Sequence, residues 1–113
     1  MSYQLHFSSE AERCIEEQLE WYDRETDHEQ GDRWLAQLEA ALERLSGNPE
    51  RYGFAPENGL WRPELELRQM PFQPWKTKSA WRVLYVIDES SEVVTVIQIR
   101  HSRRPWLSEE ESS

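Results

Sequence analysis

Ala80-Trp-Arg-Val-Leu-Tyr-Val-Ile87 and Val93-Val-Thr-Val-Ile-Gln-Ile99 are the two runs from which the fold is read. Both are dense in β-branched and aromatic residues, the types that fit a pleated, buried surface. The polar Asp88-Glu-Ser-Ser91 between them is a hairpin turn by composition and length. Strands so nearly continuous in apolar residues belong at the centre of a sheet, covered by helices. Arg82 alone puts a charge into the first run. A guanidinium there either leaves through an uncovered face or meets an anion. Glu64 or Glu66 on a neighbouring strand would serve as a cross-strand partner.

Working upstream, Pro63 to Met70 alternates with period two. Leu65, Leu67 and Gln69 fall on one side and Glu64, Glu66 and Arg68 on the other, and Pro71 and Pro74 end the strand. Pro49 to Leu60 is a loop by its Pro and Gly content. Before it lie two amphipathic helices. Ala11, Cys14, Ile15, Leu19 and Tyr22 form the stripe of the first, with Ser9 and Glu12 spaced as a capping box. Trp34 or Leu35, Leu38, Ala41 or Leu42, and Leu45 form the stripe of the second. Asp27 or Asp32 is its N-cap, and Ser46-Gly-Asn-Pro49 its stop, with Gly47 as a left-handed cap. Tyr3 to Phe7 alternates as a short first strand. Cys14, on the apolar stripe, reads as a packed structural thiol.

The element order predicts an α+β fold: an N-terminal strand, then an antiparallel helical hairpin packed on one face of a mostly antiparallel four-stranded sheet. Residues 1–107 form the expected single domain, with Pro105-Trp-Leu107 docking on it. Residues 108–113 form an acidic, disordered tail.

The chain has 113 residues and a net charge of −9. Residues 1–61 carry −9, residues 62–104 carry +3 and the tail −3. So acidic a total argues against simple bulk attraction to nucleic acid or anionic membrane. No apolar run is long enough to span a bilayer or to serve as a signal peptide. A lone cysteine forms no internal disulfide, so the expected compartment is the cytoplasm. There is no glycine-rich phosphate loop, no zinc-protease helix and no paired Cys-x-x-Cys, and His6, His28 and His101 are far apart; neither metal nor cofactor is expected. What remains is a cationic set in the second half: Arg68, Lys76, Lys78, Arg82, Arg100, His101, Arg103 and Arg104. Strand pairing would gather Arg68, Arg82 and the end of the last strand on one surface. Arginine forks match phosphate oxygens, and a histidine among them moves a proton near neutral pH. Such a surface suits binding, and without metal cleaving, a phosphodiester. Trp75, Trp81 and Trp106 lie close enough in sequence to stack on bases, although core packing is the commoner use of tryptophan.

Phe7-Ser-Ser-Glu-Ala11, Trp34 to Leu45 with Asn48-Pro49, Leu67-Arg68, Trp81 to Asp88, and Val94 to His101 with Arg103-Arg104 together resemble the RelE/ParE superfamily of bacterial type II toxin–antitoxin toxins. The resemblance implies a toxin neutralised by a cognate antitoxin. It implies one of two targets: DNA gyrase, inhibited without nuclease chemistry, or the ribosome, where the toxin acts as a metal-independent mRNA endonuclease. Arg82 matches the arginine at the start of the central strand and Arg68 a basic position before it. His101 with Arg103-Arg104 resembles the ending of the ParE-like, plasmid-stabilisation branch. The implied catalytic residues are Arg82, His101 and Arg104, and the implied target-binding residues are Arg68, Lys76, Lys78, Arg100 and Arg103. Glu64 and Glu66 stand where RelE-like nucleases carry lysines. The alternative is a non-toxic or degenerate member of the fold that serves as a protein-binding module.

Overall fold

Trp81–Asp88 (β3) and Val93–His101 (β4) pair antiparallel at the centre of the sheet. The structure is a computed structural model and describes residues 2–74 and 80–101. The hairpin closes on Asp88, whose carboxylate accepts from the Ser90 N–H (3.1 Å) and hydroxyl (2.6 Å). Gln4–Phe7 (β1) runs parallel to β4, and Arg68–Phe72 (β2) antiparallel to β3, giving the order β1-β4-β3-β2.

Ser9–Glu25 (α1) and His28–Gly47 (α2) form the helical hairpin. The cap of α1 is Ser8, one residue before the expected box. Its hydroxyl accepts from Ala11 N–H (3.0 Å) and donates to the Ile97 carbonyl (2.7 Å), which anchors the helix start to β4 while capping it. Asp27 caps α2 through Gln30 N–H (2.9 Å). Gly31 lies inside α2, where the helices approach: a Cβ there would sit 3.4 Å from Tyr22 Cβ. Gly47 takes no left-handed turn; α2 ends because Asn48 departs from helical angles (φ −157°, ψ 76°) and Pro49 opens a single 3₁₀ turn. Between helices and sheet lies the main core. Trp34, fully buried, meets Trp81 edge-on at 5.4 Å and Phe72 at 6.2 Å. Trp81 is therefore core rather than a base-stacking platform.

Two further expectations fail. The strand before the central hairpin is Arg68–Phe72, not Pro63–Met70, and Pro71 lies within it. Its edge position explains this, because an edge strand can spare an N–H. Beyond it the chain doubles back, with Gln69 N–H donating to Gly53 O (3.1 Å) and Ala55 N–H to Leu67 O (2.9 Å). That leaves residues 55–67 free to cross the face away from the helices. Trp61 and Leu67, both fully buried, pack there against Leu84 and Ile97. The face expected to be open is covered. The expected tail and the docking of Pro105-Trp-Leu107 lie outside the described residues.

A bulge sets the phase of β4. Leu84 pairs with Gln98 and Tyr85 with Val96, so Ile97 has no opposite number. Val94 and Val96 face the helices, and strict alternation would send Gln98 and Arg100 there too. The extra residue reverses the order: Ile99 joins the helix-side core, and Arg100 lands beside Arg82 on the other face.

Candidate functional site

The expected cationic surface divides between the two faces of the sheet. On the face crossed by residues 55–67, Arg82 and Arg100 are cross-strand neighbours, exposed by only 9% and 2%. Arg82 has found its anion, and it is neither Glu64 nor Glu66. Both terminal guanidinium nitrogens donate to the fully buried Glu57, Nη1 to Oε1 and Nη2 to Oε2, each at 2.8 Å. Gln69 Oε1 accepts a third bond from Nη1 at 3.1 Å. Paired charges in this bidentate geometry satisfy each other where water is excluded.

A second chain of polar groups continues from Arg100. Its Nη1 donates to Gln98 Oε1 (3.0 Å), Gln98 Nε2 donates to Glu10 Oε2 (3.0 Å), and Arg62 Nη2 donates to Glu10 Oε1 (2.6 Å). Partial burial pushes the Glu10 carboxyl up, but the bonds from Arg62 and Gln98 and the Arg62 charge outweigh it and hold the group below its ordinary range. Arg62 also lies over the Trp61 ring at 4.3 Å and takes a left-handed backbone (φ 48°). This network ties the first turn of α1 to the covering segment through β4.

Arg68 belongs elsewhere. It pairs in register with Tyr85, on the helix side, three residues from Pro71, which pairs with Arg82. That is about 10 Å along the strand and on the opposite face. Its guanidinium donates to Tyr52 O (2.6 Å) and lies over Phe54 at 4.5 Å. His101 also faces the helices, edge-on to Trp81 at 5.3 Å. It stands at the mouth of a groove of about 680 Å³ between α1 and the end of β4, lined by Cys14, Trp21, Trp81 and Ile99 among others. Lys76, Lys78, Arg103 and Arg104 lie outside the described residues. Tertiary pairing thus gathers Arg82 and Arg100, and separates both from Arg68 and His101. Sequence reasoning missed Glu57, Glu10 and Gln98. Glu57 sits in Ala55-Pro-Glu-Asn58, which reads as an exposed turn; the only sequence signal for it was the need of Arg82 for an anion.

The sequence profile described as ParE toxin of type II toxin–antitoxin system, parDE, matches residues 5–106. The chain belongs to this toxin family. Solved structures agree on the fold. A chromosomal ParDE system from P. aeruginosa superposes with a TM-score of 0.65 at 9% identity, covering 88% of this chain and 96% of that one. The RelBE2 toxin–antitoxin complex of Mycobacterium tuberculosis gives 0.55 at 22%, covering 89% and 99%. A mutant of the E. coli toxin RelE in the free state gives 0.50 at 18%, covering 91% and 86%. No curated protein matches significantly. Among the described residues of this ParE-family toxin, no helix is long and apolar enough to cross a membrane.

Proposed function

We propose that this ParE-family chain is the toxin of a type II pair, neutralised by a cognate antitoxin, and that it arrests growth by engaging DNA gyrase rather than by cutting mRNA on the ribosome. The observation that carries the choice is the Glu57–Arg82 pair. A nuclease of the RelE type needs arginines able to reach a phosphorane and a proton carrier on the same side. Here Arg82 is closed by a bidentate carboxylate, and His101 faces the other way. The matching profile is that of ParE, which supports the same side. In this reading Arg103 and Arg104, just beyond β4, contact the target, and Arg82 and Arg100 hold the strand that presents them.

The test is induced expression followed by two assays on purified protein: supercoiling by gyrase, and integrity of mRNA on translating ribosomes. Growth arrest with supercoiling inhibited and mRNA intact is the expected result. Cleaved mRNA with unaffected gyrase would reverse the choice of target. Normal growth at high soluble expression would put the protein-binding module first. Replacing Arg103 and Arg104 together by Ala is expected to relieve arrest while the circular dichroism spectrum stays that of the wild type.

A further inference from the structure

The groove between α1 and the end of β4 has a floor, a rim and a charge that describe an occupant. Trp81 and Ile99 form an apolar floor. Trp21 stands at its side, 43% exposed and stacked edge-on to Tyr22 at 5.3 Å. Large aromatics half in water at the lip of a concave surface are typical anchor points for a partner. The Trp81 ring is itself only 8% exposed, and its indole N–H is buried with no acceptor among the described residues. The buried indole N–H groups of Trp34 and Trp61 are in the same state, so Trp81 serves the groove through the apolar surface it gives the floor. The α1 side of the rim is acidic, with Glu17 and Glu20 facing the groove. Arg24, also at the rim, is paired with Glu25 at 3.2 Å. The rest of α1 adds Glu10, Glu12, Glu16 and Asp23 against Arg13 alone, Glu10 being paired with Arg62.

We propose that the antitoxin's neutralising segment docks in this groove and that this segment is basic: an amphipathic stretch with apolar side chains on Trp21 and Trp81 and Lys or Arg against Glu17 and Glu20. The inference rests on the toxin reading for the identity of the partner, and on charge complementarity for its chemistry.

Two synthetic peptides of about 16 residues, one patterned in Lys, Leu and Trp and its twin with Glu for Lys, serve as probes. They are titrated into the full-length, isotope-labelled toxin and followed by NMR. The Lys peptide is expected to shift the Trp21 and Trp81 indole N–H signals and the β4 end, and to bind at least about tenfold more tightly than its twin. Glu17→Lys with Glu20→Lys is expected to reverse that preference, whereas Glu39→Lys with Glu43→Lys on α2 leaves it standing. Trp21→Ala weakens binding by about tenfold, and Leu60→Ala, exposed on the opposite face, does not. Equal affinity for both twins, shifts spread over α2 or centred on Phe54 and Leu60, or no shift at either indole would overturn the proposal. So would a groove that admits peptide only after residues 108–113 are deleted, since the chain's own tail would then be the occupant. Self-association abolished by Trp21→Ala would assign the groove to a second copy. Growth arrest is scored separately. Binding without arrest removes the toxin reading and leaves a basic-segment docking surface; arrest without binding does the reverse.

Discussion

Glu57 and Arg82 carry the sharpest energetic consequence of the structure. A buried ion pair adds little net stability, because desolvation offsets attraction, but removing one partner strands a charge. Glu57→Ala is expected to cost about 3–5 kcal/mol in denaturant unfolding, and Glu57→Leu with Arg82→Met to recover most of it. A loss below about 1 kcal/mol for Glu57→Ala would mean that water reaches the pair. Arg82→Ala must therefore be checked for folding before any loss of toxicity is read as loss of a working residue. Tyr85 offers a second case. Its hydroxyl donates to Pro49 O at 2.6 Å, and burial pushes its pKa up from 10.0 to about 12. A raised value favours the protonated form in the fold. That contribution is whole below pH 10 and is lost as pH rises toward 12. Tyr85→Phe should lose about 1–2 kcal/mol at neutral pH and flatten the alkaline limb of the stability curve.

At the scale of elements, the helical hairpin is held by a close approach. The Cβ added by Gly31→Ala would meet Tyr22 Cβ at 3.4 Å and Leu19 Cδ2 at 3.5 Å, ordinary contact distances. Alanine also loses less backbone entropy in a helix, so Gly31→Ala is expected to stabilise by roughly 0.5–1 kcal/mol. Gly31→Val, with methyl groups beyond that Cβ, should push the helices apart and lower Tm. The hairpin tip responds to pH. His28 contacts Asp23 at 3.1 Å and Asp32 at 3.5 Å, and the hydrogen bond to Asp23, with both nearby charges, raises its pKa. The added stability is complete below the ordinary value of 6.5 and fades as pH rises through the raised one. An NMR titration of His28 in the wild type and in Asp23→Asn should show the value fall in the variant.

For the whole molecule, charge is unevenly layered. The helices and first loop hold the acidic excess; of the arginines on the sheet, Arg82 is taken up by Glu57 and Arg100 by Gln98, while Arg62 of the covering segment is taken up by Glu10. With a net charge of −9, self-repulsion opposes the compact state and salt screens it. Tm is expected to rise between low salt and about 0.5 M NaCl, where the Debye length has shrunk to a few ångströms. A falling Tm would show that the exposed attractive pairs outweigh the repulsion.

Element order and type were legible because they depend on local pattern. The 80–99 runs could be little but paired strands, and the 3.6-residue stripes of Ala11 to Tyr22 and Trp34 to Leu45 needed a sheet to cover. With the family motifs, that determined the fold and the toxin family. The site was another matter. Which face a strand residue takes depends on the parity of every residue before it, and one unpaired residue, Ile97, reverses that parity without leaving a mark on a run that is nearly continuous in apolar residues. Likewise Glu57 looks like a turn residue until the chain folds back across the sheet and water is gone from around it. Cross-strand register and the path of residues 55–67 are products of long-range packing, so only the tertiary structure could decide that Arg82 is closed, that Arg68 stands apart from it, and that His101 looks into a groove on the helix side.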